Sequence, residues 1–136
     1  MIVANVSCVA IAGRALAIEG PSGSGKSSLA LALIDRGARL VGDDGMRIEV
    51  EDGRLVAHPP PNIAGKIEIH GVGLFDLEPV SAPLALVLAL DPDAPRSPVA
   101  TSRELCGLAV PGLPFHPGTI APARRAEAAL ERFGLG

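Results

Sequence analysis

Apolar and β-branched residues dominate the start of the chain, with one short polar break. Residues 2–11 are mostly apolar, residues 12–14 form the break, and residues 15–19 are apolar again. This pattern predicts a hairpin whose second strand enters the core. Residues 27–35 are strong helix formers with apolar positions on nearly every side, and Gly37 follows them. We therefore expect a buried helix that stops at this glycine.

A further strand, a hairpin and a central strand follow. Residues 38–41 predict a strand, so strand, loop, helix and strand form a βαβ-type unit. Such a unit favours a parallel sheet with ligands at the carboxyl ends of its strands. Asp52 and Gly53 separate two alternating runs and predict a type I′ hairpin. The continuous apolar run at 84–90 is typical of a central buried strand.

Prolines and glycines delimit the remaining elements. Three consecutive prolines within residues 58–61 stop the hairpin, and the loop from there to Gly65 is interpreted as a mobile flap. Residues 67–70 predict a short strand, and residues 91–98, with three prolines, predict an irregular loop. Residues 122–133 predict a terminal helix with proline at its start and an apolar side made of Ala126, Ala129, Leu130 and Phe133.

Composition restricts the class of protein. The chain has 136 residues, 48% of them hydrophobic, with a net charge of −3, which predicts one globular domain over residues 1–136. With three Phe and neither Tyr nor Trp, it offers no platform for stacking nucleic-acid bases. No run approaches the roughly 18 apolar residues of a membrane span, and no signal peptide is evident. We expect a cytoplasmic protein that binds neither nucleic acid nor membrane, with Cys8 and Cys106 as buried free thiols.

One motif carries a specific chemistry. Residues 20–27 read G-P-S-G-S-G-K-S, which matches the phosphate-binding pattern G-x-x-x-x-G-K-[ST] between a predicted strand and a predicted helix. Lys26 would reach the β- and γ-phosphates of a nucleotide, and the Ser27 hydroxyl would bind Mg²⁺. The alternative is a flexible Gly/Ser turn. The residues expected to hold the nucleotide are Gly20, Pro21, Ser22, Gly23, Ser24, Gly25, Lys26, Ser27 and Ser28.

Acidic residues follow at the end of the next predicted strand. Asp43 and Asp44 lie where a nucleotide site needs a carboxylate, and adjacent side chains point to different sides. One would serve the water shell of the metal and the other would face an attacking hydroxyl; the alternative is a turn or capping pair. Glu68 precedes a Gly-Val-Gly segment and, taken alone, is interpreted as a solvent-exposed carboxylate on a strand. The three histidines have no metal-ligand spacing and are interpreted as surface or loop residues: His58, His70 and His116.

With these residues in place, the chain resembles the catalytic domain of the HPr kinase/phosphorylase family, bacterial enzymes that phosphorylate a serine of the phosphocarrier protein HPr. The resemblance is carried by G-P-S-G-S-G-K-S-S-L-A-L-A-L-I-D-R-G-A-R-L-V-G-D-D and by I-E-I-H-G-V-G-L-F-D, which is similar to a family signature. It implies an α/β fold with a phosphate-loop nucleotide-binding core like that of phosphoenolpyruvate carboxykinase, a mixed sheet and flanking helices. The length resembles short alphaproteobacterial members, which have no N-terminal regulatory domain.

The resemblance also implies roles for individual residues. Lys26 matches the phosphate-loop lysine, and Ser27 and Glu68 match the magnesium ligands. Asp44 matches the aspartate that takes the proton of the acceptor serine, with Asp43 beside it. Together these matches imply ATP and Mg²⁺ as cofactors, an HPr-like phosphocarrier as partner, and a homo-oligomer, since family members resemble hexamers.

Other positions align less closely or differ. Arg96 matches a catalytic arginine that would stabilise phosphoryl charge. Asn5 stands where the family has an active-site histidine, and an amide cannot shuttle a proton. His70 replaces a signature arginine, and residues 110–118 do not match a basic loop that the family links with dephosphorylation. The phosphorylase activity is therefore the least supported.

Three functions remain open at this stage. The leading hypothesis is an ATP- and Mg²⁺-dependent protein serine kinase that phosphorylates HPr or an HPr-like phosphocarrier and so regulates a phosphotransferase or signalling system. The second is a catalytically impaired nucleotide-binding regulatory module, motivated by Asn5 and His70. The third and weakest is a small-molecule kinase.

Overall fold

The computed structural model describes residues 1–69 and 71–136 of the chain. Eleven strands and two helices lie in that part. In chain order they are β1 (Ile2–Ala4), β2 (Ser7–Ile11), β3 (Arg14–Glu19), α1 (Lys26–Asp35), β4 (Arg39–Gly42), β5 (Gly45–Glu51), β6 (Arg54–His58), β7 (Lys66–Ile69), β8 (Gly73–Asp76), β9 (Ala82–Leu90), β10 (Thr101–Leu105), β11 (Leu108–Phe115) and α2 (Pro122–Phe133).

The main sheet is mixed and is built around β9. On one side β9 pairs in parallel with β3; on the other, its first residues pair antiparallel with β6 and its last residues pair in parallel with β11. Beyond β3 come β2 and β4, each antiparallel to its neighbour. Strands β3, β4, β9 and β11 therefore run in one direction, and the loops at their carboxyl ends share one edge of the sheet.

The predicted strand, helix and strand are present, but they do not make a purely parallel sheet. Because β2 folds back on β3 as a hairpin, it lies between β3 and β4, and these two strands do not pair directly. The local hairpin thus occupies the position that a directly paired parallel strand would take. The mixed sheet with flanking helices that the resemblance implied is confirmed.

Both faces of the sheet are buried, which explains the continuous apolar strands. Side chains on one face of β3, among them Leu16 and Ile18, pack in a cluster with α1 and α2. The alternate side chains, Ala15 and Ala17, pack in a second cluster with β5 and β6. Because strand residues alternate between faces, burial on both faces requires apolar residues at every position.

Two of the predicted elements are confirmed, and two other predictions are wrong in part. The terminal helix spans Pro122–Phe133 as predicted, and Asp52 and Gly53 have φ angles of 52° and 74°, as a type I′ turn requires. The predicted strand at 2–11 is wrong in one respect: it is broken at Asn5, whose φ of 61° ends β1. Of the two cysteines, Cys8 is buried, but Cys106 is exposed in the turn between β10 and β11, so the prediction of two buried thiols is wrong for Cys106.

Strands β10 and β11 were not predicted, because β11 contains prolines and a glycine, which normally indicate a loop. Strand β11 contains Pro111, Gly112 and Pro114, residue types that normally exclude a strand. It pairs with β10 over residues 108–112 and with β9 over residues 112–115. Pro111 therefore pairs with β10 only and Pro114 with β9 only, and a strand tolerates proline where the side without a partner needs no N–H donor.

The hairpin of β7 and β8 is a separate two-stranded sheet. Lys66 and Asp76 lie opposite each other in its register and form an ion pair. This pair gives a structural role to the second of the two lysines in the chain. His70, which replaces the signature arginine, lies outside the described residues.

Candidate functional site

The glycine-rich loop lies between the end of β3 and the start of α1, in the strand–loop–helix context that the motif requires. Gly25 has a φ of 102°, a left-handed conformation that glycine adopts without strain. At Gly20, a Cβ atom would come within 2.7 Å of Ser24 Oγ and 3.2 Å of Leu90 Cβ. A side chain at position 20 would therefore require the Ser24 hydroxyl to rotate and Leu90 to shift.

The lysine of the motif folds back over the loop. Lys26 Nζ donates hydrogen bonds to the carbonyl oxygens of Gly20 at 2.7 Å and Pro21 at 3.1 Å. These acceptors are neutral, and a phosphate oxygen in the same loop would be a stronger, charged acceptor for the ammonium group. The side chain is already positioned at the mouth of the loop.

A buried carboxylate joins three elements beside the loop. Asp43 Oδ1 accepts hydrogen bonds from Ser27 Oγ at 2.8 Å and from Ser7 Oγ at 2.7 Å. Asp43, at the end of β4, is only 4% exposed. It therefore ties α1 and β2 to β4 and orients the Ser27 hydroxyl. Ser7 was missed from sequence, although a lone hydroxyl in an apolar strand is a signal that could have found it.

Removal of the Asp43 carboxylate should destabilise the fold. Asp43→Ala leaves the hydroxyls of Ser7 and Ser27 without their acceptor, and we expect the free energy of unfolding to fall by about 2–4 kcal/mol. Asp43→Asn, which keeps one acceptor oxygen, should lose less. The measurement is urea unfolding, with exposed Asp93→Ala as the control. A loss of under about 0.5 kcal/mol in Asp43→Ala would contradict the bridging role.

The neighbouring carboxylate has a different environment. Asp44 is exposed and has a φ of 60°, and its backbone carbonyl accepts a hydrogen bond from the N–H of Asn5 at 3.1 Å. Asn5 is also exposed, with a φ of 61°. Both residue types tolerate the left-handed region. The structure thus separates the two aspartates as predicted and brings position 5 next to Asp44.

The proline-rich flap packs on the turn that carries the aspartates. A Cβ atom at Gly42 would come within 2.8 Å of Pro60 Cδ and 2.1 Å of the Gly45 carbonyl oxygen. Where the flap begins, His58 is hydrogen-bonded through Nδ1 to Ser81 Oγ at 2.7 Å and through Nε2 to Glu51 Oε2 at 2.5 Å. His58 is therefore a loop anchor, in agreement with the structural interpretation of the histidines.

Among the described residues, no hydrogen bond or ion pair joins Glu68 or Arg96 to this group. Glu68 is exposed on β7, which lies beside α1. Among the described residues, the carboxylate that accepts a hydrogen bond from Ser27 is that of Asp43. Arg96 lines a cleft of about 870 Å³ against α2, together with Arg125 and Arg132. The described lining of that cleft contains no residue of the glycine-rich loop. The roles of Glu68 and Arg96 stay predictions.

The residues present suit a nucleotide phosphate and a magnesium ion. Ser24 Oγ is buried and has no hydrogen-bond partner among the described residues. The Ser27 hydroxyl and the Asp43 carboxylate place two oxygen donors side by side, the ligand type that Mg²⁺ prefers. The glycine-rich loop presents backbone N–H groups at the start of α1, where anions bind.

No helix in the described part of the chain is long and apolar enough to cross a bilayer.

The mixed sheet, with the glycine-rich loop and the acidic pair on one edge, defines an α/β domain with a candidate phosphate site. The sequence pattern of the HPr Serine kinase C-terminal domain family matches residues 2–81. The chain therefore belongs to this family.

Individual relatives support the assignment. The chain is 44% identical over 69 residues to the HPr kinase/phosphorylase of Clostridium beijerinckii and 39% identical over 71 residues to that of Bordetella petrii. These matches cover 51% and 52% of this chain and 23% of each relative, so the matched part is about a quarter of the relatives' length. The solved Hpr(Ser) kinase/phosphatase from Coxiella burnetii superposes with a TM-score of 0.81 and 28% identity, over 96% of this chain and 89% of that one.

Proposed function

We propose that the chain is an ATP- and Mg²⁺-dependent protein serine kinase that phosphorylates HPr or an HPr-like phosphocarrier. The observation that carries the proposal is the arrangement at one sheet edge, where exposed Asp44 follows the buried Asp43 that holds Ser27. The relatives, which are HPr kinase/phosphorylases, and the Hpr(Ser) kinase/phosphatase from Coxiella burnetii support the same reaction. Regulation of a phosphotransferase or signalling system would be the consequence of phosphorylating such a carrier.

The residues of the chain have distinct tasks in this reaction. Lys26 would exchange its two loop carbonyls for phosphate oxygens and neutralise charge on the transferred group. Mg²⁺, when bound, supplies further charge neutralisation between the phosphates. Asp44, exposed at the same edge, would accept the proton of the acceptor hydroxyl. Phosphoryl transfer depends mainly on positioning and electrostatics, which these groups provide.

The surface near the site favours a protein as the phosphoryl acceptor over a small molecule. The β7–β8 hairpin, which runs beside α1, exposes the apolar side chains of Val72, Leu74 and Phe75. Exposed apolar side chains grouped on one hairpin are typical of a surface that contacts another protein. This surface supports the protein kinase over the small-molecule kinase.

The test is phosphorylation of the HPr protein of the source organism in the presence of ATP and Mg²⁺, followed by intact mass. We expect the acceptor to gain one phosphoryl group with the wild-type chain, and at least 100-fold more slowly with Lys26→Ala. No mass change with the wild-type chain, while a histidine-bearing relative phosphorylates the same acceptor, would contradict the kinase.

The second candidate function, an impaired nucleotide-binding module, is favoured by one observation. The backbone N–H of Asn5 donates to the Asp44 carbonyl, so position 5, where the family has a histidine, lies beside the proposed base and carries an amide instead. Histidine tolerates a φ of 61°, so Asn5→His should be accommodated. If the scaffold is otherwise intact, we expect this variant to raise turnover about tenfold or more with ATP affinity little changed.

The control for this variant is Asn5→Gly, which keeps the backbone conformation and adds no imidazole. A wild-type chain that is already active and is not accelerated by Asn5→His would exclude the impaired module. The remaining expectations stay proposals: one domain over residues 1–136, a cytoplasmic location, a homo-oligomer, and no binding of nucleic acid.

A further inference from the structure

One ion pair joins the strand that precedes the glycine-rich loop to the hairpin of β10 and β11. Glu19 is the last residue of β3, directly before Gly20, and Arg103 lies in the middle of β10. Arg103 Nη1 lies 2.6 Å from Glu19 Oε1, and Nη2 donates a hydrogen bond to Oε2 at 2.9 Å. One guanidinium therefore holds both carboxylate oxygens, the two-pronged geometry in which arginine binds carboxylates most strongly.

A glycine in β11 leaves the space through which Arg103 reaches Glu19. Strands β11 and β9 lie between β10 and β3, so the side chain of Arg103 has to cross β11. A Cβ atom at Gly112 would come within 2.7 Å of Arg103 Cγ and 3.1 Å of its Cδ. Gly112 is not among the glycines with a positive φ, so its backbone conformation does not require glycine. The absence of a side chain at this position therefore serves the path of Arg103.

The carboxylate of Glu19 has an unfavourable position for a protein that binds phosphates. It is the only acidic residue among residues 1–34, and it directly precedes the loop. Because consecutive Cα atoms are about 3.8 Å apart, the carboxylate lies within about 10 Å of Gly20, close to the screening length of 0.1 M salt. Without a cation beside it, this carboxylate would repel the phosphates of a nucleotide.

The carboxylate is also next to the place where the lysine of the motif rests. Lys26 Nζ donates to the carbonyl of Gly20 at 2.7 Å, one residue from Glu19. An unpaired carboxylate at position 19 would compete with phosphate oxygens for this ammonium group. Arginine remains charged at every pH at which the protein is folded, so its neutralisation of Glu19 is permanent.

We propose that Arg103 is a positioning residue for the nucleotide site, which acts through Glu19: it holds and neutralises the carboxylate beside the phosphate loop. The proposal rests on the proposed function and adds to it a residue of a distant hairpin. It has a consequence that a purely structural ion pair does not have. Loss of Arg103 weakens the binding of phosphates, whereas loss of the Glu19 charge strengthens it.

The test measures the affinity for Mg²⁺-ATP by calorimetry in three variants. Arg103→Met keeps an apolar stem over Gly112 but removes the charge, and we expect it to weaken ATP by about three- to tenfold. Glu19→Gln removes the repelling charge, and we expect it to tighten ATP by about two- to threefold. The double variant should return to within about twofold of the wild type, because neither charge is then left unpaired.

The chain offers a matched control and a second readout. Arg36, at the far end of α1 from the loop, forms a similar two-pronged pair with Glu127, with both hydrogen bonds at 2.9 Å. Arg36→Met should leave the affinity for ATP unchanged. In about 0.5 M salt, where the screening length is about 4 Å, the loss in Arg103→Met relative to the wild type should shrink to less than about twofold.

The signs of the effects decide the outcome. Weaker ATP in Arg103→Met, restored in the double variant, supports the proposal. Equal weakening in Arg103→Met and Glu19→Gln without restoration, or an unchanged affinity in folded Arg103→Met, would overturn it and leave the phosphate loop in place. If urea unfolding shows that Arg103→Met is not folded, Glu19→Gln decides: tighter ATP supports the proposal, and unchanged or weaker ATP overturns it. Failure of the folded wild type to bind Mg²⁺-ATP would overturn the proposed function and this proposal with it.

Discussion

Lys26→Ala is expected to reduce phosphoryl transfer at least 100-fold and to weaken Mg²⁺-ATP to a similar extent. The ammonium group is the positive side chain positioned at the mouth of the loop, on the carbonyls of Gly20 and Pro21. Loss of a preorganised charge of this kind costs about 3–4 kcal/mol of transition-state stabilisation. Calorimetry reports the change in affinity, and intact mass of the acceptor reports the change in rate.

The chain contains a matched control for this prediction. Lys66, the other lysine, forms an exposed ion pair with Asp76 on the β7–β8 hairpin. Such pairs contribute at most about 1 kcal/mol, so Lys66→Ala should leave ATP binding unchanged. The urea unfolding of Lys26→Ala should also match that of the wild type within about 1 kcal/mol, because the released carbonyls can bind water. Equal ATP affinities for Lys26→Ala and the wild type would exclude the loop as the phosphate site.

Asp44→Asn is expected to lower turnover by about 10²–10⁴-fold while leaving ATP affinity within about twofold. The amide cannot accept the proton of the acceptor hydroxyl, but it keeps the size of the side chain. Asparagine also tolerates the φ of 60° observed at this position. The variant therefore tests the chemistry of the carboxylate without straining the backbone. Single-turnover phosphorylation and calorimetry measure the two quantities separately.

Asp52→Asn is the control, because Asp52 is also exposed and has a φ of 52°, in the turn between β5 and β6. It should retain full activity. If Asp44→Asn kept more than about a tenth of the wild-type turnover, the base would have to be another group. If it lost ATP binding as well as turnover, the carboxylate would act on the nucleotide rather than on the acceptor.

Much of the fold could be predicted because its elements carry local signals. The helix at 122–133, the turn at Asp52 and Gly53 and the buried strand β9 follow from periodicity, turn residues and apolar runs, all of which act over a few neighbouring residues. Strands β10 and β11 could not be predicted, because Pro111 and Pro114 are tolerated only where a partner strand is missing on one side. That condition depends on the pairing along one edge of β9, whose first residues pair with β6 and whose last residues pair with β11.

By itself the sequence determined the chemical groups of the site and their order: the glycine-rich loop, Lys26 and Ser27 at the start of a helix, and two aspartates at the end of the next strand. These groups are close along the chain, so local geometry is enough to relate them. Only the tertiary structure decided that Ser7 shares the Asp43 carboxylate with Ser27, that Asn5 lies beside Asp44, and that Arg96 belongs to a separate cleft. The physical reason is that strand order brings distant segments to one edge, and the spacing of residues along the chain does not specify that order.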